Sequence, residues 1–188
     1  MAKMTTPRWV WQSNAYDKTW AEVRGSSTFD LAVQEALYNG TAVGEPLPRL
    51  RIDEVTPGEH PDLLLQPGYR IASARLCQLL LDSGARLQLL PVVFPARLKR
   101  SRVTYHVVNL LERVDALDEA ASKLTRWPDG SIRAVKKLAL RAPAAGAPRL
   151  FRVSALPQVW IVDDALRRTI EATCVGAGRF VAPAEFKT

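Results

Sequence analysis

Four residues carry most of the chemistry this chain could offer: Cys77, Cys174, His60 and His106. Zinc, iron–sulfur and haem sites draw on thiolates and imidazoles, and 2 Cys with 2 His spread along 188 residues are a poor supply for any of them. Cys77 lies in the apolar helical pattern ARLCQLLLDSG and Cys174 in ALRRTIEATCVG, so both are expected as small buried hydrophobes. A nucleophilic cysteine would need a base beside it. His60 sits in the loop PGEHPD, where exposure is the default, and His106 alternates with Tyr105 and Val107 in the strand-like run VTYHVVNLL. An enzyme would require His106 to converge with Asp115 or Asp118 in one pocket, which a strand placement does not ensure. The sequence contains no G-x-S-x-G, no Gly-rich phosphate loop, no H-E-x-x-H and no EF-hand spacing. Composition thus points away from an enzyme, and no cofactor or metal is expected.

The remaining chemistry is electrostatic. The chain carries 26 Lys+Arg against 19 Asp+Glu, a formal net charge of +7. Residues 1–60 hold 6 basic and 8 acidic groups, whereas residues 61–188 hold 20 and 11, so the excess is local. Between Asp129 and Asp163 there is no acidic residue, but Arg133, Lys136, Lys137, Arg141, Arg149 and Arg152 occur there; Arg97, Lys99, Arg100 and Arg102 crowd the turn before Val103. Such fields suit an acidic protein or a nucleic-acid backbone. The plainer reading is solvated faces that discourage edge pairing, since Lys and Arg commonly protect strand edges. For a partner, the candidate contacts are Arg97, Lys99, Arg100, Arg102, Arg133, Lys136 and Lys137.

Several elements are marked in the sequence. RWVWQ alternates with period two, as an edge strand of the N-terminal segment would. Asp30 can cap a helix over residues 31–39 that ends at Gly40, and Ser73 one over 74–83 that ends before Gly84. Five of the thirteen prolines fall between Thr41 and Gly68, an irregular connector with a short strand between Pro48 and Val55. LQLLPVVF, VTYHVVNLLERV, SIRAVKKLAL, RLFRVS and QVWIV read as strands, DALDEAASKL as a short helix, and Asp163 caps a last helix to about Val175. Interleaving without a regular βαβ rhythm predicts an α+β single domain, a mixed or antiparallel sheet with about three to four short helices. Within it, residues 1–60 are expected as an N-terminal extension with an edge strand and a short helix, and 61–188 as the main domain.

The uncharged stretch Leu87–Ala96 falls far short of the ~20 apolar residues a membrane span requires. MAKMTTPRWVWQ has no apolar region of secretory type. A cytoplasmic location without membrane partners is the expectation.

The succession IASARLCQLLLDSGARLQLLPVVF, VTYHVVNLLERVDALDEAAS, SIRAVKKLAL, RLFRVSALPQVWIVDDALRRTIEAT and GAGRF resembles a bacterial family first described as a domain of unknown function and later assigned to immunity proteins of polymorphic toxin systems, the eleventh of that catalogue. The resemblance covers about Pro61 to Pro183 and rests on Ser73, Tyr105, Asn109, Asp115, Asp118, Ser122, Phe151, Arg152, Val162 and the Gly178-Arg179-Phe180 end. It implies a non-enzymatic inhibitor that binds and neutralises a cognate toxin protein, encoded next door. Such a protein needs a stable fold and one complementary surface. The matched polar residues Asn109, Asp115 and Asp118 are read as satisfying turns and helix ends, and Tyr105 and Phe151 as filling the core. A basic nucleic-acid-binding protein is the alternative, ranked lower because no RNP sequence or basic recognition helix accompanies the charge.

Overall fold

Side-chain alternation along the strands decides how the layers stack. The computed structural model describes residues 7–12, 22–25, 29–56, 59–66, 69–94 and 103–188. In chain order the elements are β1 (Arg8–Gln12), β2 (Glu22–Gly25), α1 (Leu31–Asn39), β3 (Leu50–Thr56), β4 (Leu63–Gln66), β5 (Tyr69–Ser73), α2 (Ala74–Asp82), β6 (Leu87–Val93) and β7 (Tyr105–Leu110). They continue with β8 (Arg113–Val114), β9 (Lys123–Arg126), β10 (Ile132–Lys137), β11 (Leu150–Val153), β12 (Leu156–Asp163), α3 (Asp164–Thr173) and β13 (Arg179–Val181).

Among the described residues the strands form a five-stranded sheet ordered β13-β1-β12-β11-β8, a six-stranded sheet ordered β2-β3-β6-β7-β5-β4, and the separate hairpin β9–β10. Both larger sheets are mixed: β11 runs parallel to β8 and β3 to β6, and the other neighbours are antiparallel. This is an α+β fold.

Odd and even positions sort into three apolar clusters. Trp11, Leu150, Trp160 and Val162 from the five-stranded sheet meet Ala72, Val108 and Leu110 from the six-stranded one, with Leu76 and Leu80 of α2 and Leu166 and Ile170 of α3 in the same cluster. Val10, Phe151, Val153 and Ile161 point the other way and pack with Val135 of β10, Leu138 and Phe186. Ile71, Tyr105 and Val107 join Leu37 of α1 on the far face of the six-stranded sheet. Strands buried on both faces explain why so little of their pattern reads as polar.

Helices α1, α2 and α3 start as the sequence predicts. Asp30 accepts from Val33 N (2.8 Å), Ser73 from Leu76 N (3.2 Å) and Asp163 from Leu166 N (2.7 Å). Three expectations need correction. β1 is not an edge strand: it lies between β12 and β13, with Trp11 opposite both Trp160 and Phe180, because Trp11 and Val10 are buried on opposite faces. DALDEAASKL is not a helix but a turn leading into β9; Asp118 Oδ1 accepts from Ala121 N (3.0 Å), Ser122 N donates to Asp118 O, and Leu117 bridges to Leu140. Short side-chain bonds of this kind compete with helix formation. The last helix stops at Thr173 because Val175 N is drawn to Asp62 Oδ2 (2.7 Å).

Candidate partner-binding surface

Of the cations in the acid-free stretch, three are absorbed by the fold. Arg152 is 3% exposed. Its Nε donates to Leu110 O (2.7 Å), one terminal nitrogen to Tyr38 O and Pro157 O (both 3.0 Å) and the other to Asn109 Oδ1 (3.4 Å). The guanidinium also lies 5.0 Å from the centre of the Trp160 ring, which Arg70 approaches to 4.3 Å. Burial, with repulsion from Arg113, pushes Arg152 down to about 10, and burial with repulsion from Arg152 pushes Arg70 down to about 9. Both still carry charge at neutral pH. Arg149 pairs with Asp163 (3.0 Å) and Arg141 with Asp115 (2.8 Å). Arg152 is thus withdrawn from the surface, and the charges of Arg149 and Arg141 are offset by their carboxylate partners.

Arg133, Lys136 and Lys137 are different. All three are exposed on β10, and none has an ion-pair partner among the described residues. The register explains how one short strand shows three cations to solvent. Ile132 stands opposite Arg126 and Ala134 opposite Thr125, so Arg133 is an extra residue; Val135 stands opposite Leu124 and Lys137 opposite Lys123, so Lys136 is another. A bulge leaves its extra residue unpaired and re-aims the side chain. The other four candidates, Arg97, Lys99, Arg100 and Arg102, lie outside the described residues.

One contributor was missed at the level of sequence. Trp127, the residue after β9, is 50% exposed, and the Arg133 guanidinium sits 4.6 Å from its ring centre. A run of one Trp among Arg, Pro, Asp and Gly has no periodicity, so only the hairpin geometry exposes it as part of the cationic face.

The residues considered for catalysis are not brought together. His106 lies on β7, opposite Ala72 and Pro91 in the six-stranded sheet, and burial lowers its pKa. Asp115 pairs with Arg141, and Asp118 serves its own turn. The matched polar positions are structural: Asn109 is buried and donates to Thr41 O (2.7 Å), and Tyr105 is buried with its hydroxyl donating to Pro61 O (2.7 Å). Phe151 is buried in the core as expected. Burial pushes the Cys77 thiol up to about 12, while Cys174 is only half-buried, a departure from the expectation for it. No group of acidic, His or Cys side chains suited to a metal occurs among the described residues.

A buried knot elsewhere was also unforeseen. Asp62 accepts from Ser73 Oγ, from Arg75 through both carboxylate oxygens and from Val175 N, tying β4, the start of α2 and the chain after α3 together. Two of the surface hollows lined by described residues are large enough for a small ligand. One, of about 400 Å³, lies between Arg8, Phe151, Leu140 and the loop 142–148; the other, of about 560 Å³, lies between α2 and α3 with Arg75 and Arg149 on its walls. No helix among the described residues is long and apolar enough to cross a membrane.

No curated protein matches this chain. A family model does, and its match starts well before Pro61, taking in α1 and β3, and runs past β13. With residues 19–186 matched by the model described as Immunity protein family (Imm11), the chain belongs to that family.

Proposed function

We propose that this protein is a non-enzymatic, cytoplasmic inhibitor that binds and neutralises a cognate toxin of a bacterial polymorphic toxin system. The observation that carries this reading is membership of the immunity family over most of the chain. The fate of the polar residues supports it: Asn109, Tyr105, Asp62 and Arg152 are committed to holding the fold, while Arg133, Lys136 and Lys137 are exposed where another molecule can meet them. Those three, with Arg97, Lys99, Arg100 and Arg102, are the proposed partner contacts. An inhibitor of this type works by complementarity, burying about 1,600 Å² in total with a standard-sized partner.

The test is coexpression with the toxin domain encoded by the adjacent gene. Growth should be rescued, and the two proteins should copurify as a stoichiometric complex. A toxin that kills as fast with this protein as without it, and does not bind it by calorimetry, overturns the proposal. Turnover of any substrate that vanishes in His106→Ala with the fold intact overturns its non-enzymatic part.

A further inference from the structure

The β9–β10 hairpin carries two features that cost stability and that the fold does not use. Lys137 and Lys123 face each other directly across the two strands, both exposed, and neither forms an ion pair with a described residue. Like charges directly opposite destabilise a strand pair. Lys136 and Arg133, pushed out by the two bulges, add to the same field. Beside them Trp127 leaves half of its surface in water, whereas Trp11 and Trp160 are almost wholly buried.

The tip that presents these groups is held by several hydrogen bonds. Arg126 donates to Gly130 O (2.6 Å) and pairs with Glu119 (2.5 Å). Asp129 accepts from Ser131 N (2.9 Å) and Ser131 Oγ (2.6 Å), Trp127 N donates to Ser131 O (2.9 Å), and Gly130 takes φ 85°. Arg133 lies against the Trp127 ring. The base of the hairpin is anchored separately by Val135 in the core beneath the five-stranded sheet. An aromatic ring already held against Arg133, beside cations that repel one another, loses less freedom on binding than an unsupported one and gains from a partner that neutralises the charge.

We propose that the β9–β10 hairpin is a docking element for an acidic protein face, with Trp127 as its apolar anchor and Arg133, Lys123, Lys136 and Lys137 as the cations around it. This deepens the immunity reading and rests on it: the acidic face is that of the toxin. Trp and Arg are the residue types that most often dominate protein interfaces, and neutralising cations here also relieves the Lys123–Lys137 repulsion.

The experiment measures binding of the purified toxin domain encoded by the adjacent gene to the full chain, to Trp127→Ala, and to the double variant Lys136→Glu with Lys137→Glu, after thermal unfolding shows that each variant is folded. Trp127→Ala should weaken binding by roughly thirty-fold, as loss of an interface anchor does. The double variant should slow association by about ten-fold at low salt, a difference that shrinks as salt rises. Arg133→Glu provides a second probe of the platform and should weaken binding in the same direction. If the parent binds the toxin and all the variants bind within about two-fold of it, a change below the threshold for an interface anchor, the hairpin assignment alone is wrong. If the parent binds no toxin, the functional reading falls and the hairpin assignment with it. Binding to a single-stranded oligonucleotide that is lost in Trp127→Ala would overturn the acidic-protein assignment in favour of a nucleic-acid surface.

Discussion

Replacing Arg152 by Met tests whether a buried cation without a carboxylate partner holds this fold together. The substitution keeps an unbranched side chain only as far as the Nε position and removes the donors to Leu110 O, Tyr38 O and Pro157 O. Bonds to charged groups contribute about 1.5–3 kcal/mol each, so three of them amount to roughly 5–9 kcal/mol before desolvation. Keeping the cation buried costs several kcal/mol, and that cost disappears in the variant. The net loss should then be about 2–4 kcal/mol, with three carbonyls left short of a donor at the junction of α1, β7 and β12. Urea unfolding followed by tryptophan fluorescence and by circular dichroism reads it as a lower midpoint with an unchanged slope. Arg152→Lys is the control: an ammonium keeps the buried charge but cannot reproduce the fork, so it should be at least as damaging as Met. A loss below about 1 kcal/mol in Met, or a near-neutral Lys variant, would refute the reasoning, because the carbonyls would then have other donors.

Other predictions follow from the same contacts. Burial pushes the Asp62 carboxyl up, but bonds from Arg75, Ser73 and Val175 N outweigh it and hold the pKa below the ordinary carboxylate value. A carboxyl lowered on folding contributes stability that is fully present above its unfolded pKa, about 3.9, and is lost as pH falls through the folded value. Asp62→Asn should therefore flatten the acid limb of a stability–pH curve measured below about pH 4. Gly40 takes φ 68°, and a Cβ there would come within 2.6 Å of Leu110 O and 2.7 Å of Arg152 Nε. Gly40→Ala should cost at least about 1–2 kcal/mol from the left-handed backbone alone, read as a fall in melting temperature. In the native protein a thiol reagent should label Cys174 and spare Cys77 until urea is added, since Cys77 is buried with its thiol pushed up to about 12; equal rates at the two would contradict the packing.

Local signals determined much of this protein. Asp30, Ser73 and Asp163 mark helix starts because a short side-chain oxygen before an apolar run has few other uses, and all three cap in the structure. The strands at 150–153 and 156–163 were legible from β-branched and aromatic runs, whereas Ile132, Val135 and Leu138 fit a helix period as well as a strand, and the pairing with β9 makes 132–137 a strand. The scarcity of Cys and His bounded the chemistry without any geometry. The tertiary structure decided what depends on residues far apart in the chain. RWVWQ looks like an edge strand until β13, more than 160 residues later, pairs with its other side. Arg152 and Lys136 are both cations in one acid-free segment, yet four acceptors contributed by three separate parts of the chain bury the first, while a bulge set by the register with β9 exposes the second. Composition counts charges, but only the fold assigns each a partner or leaves it without one, and a surface for another molecule is made from those left over.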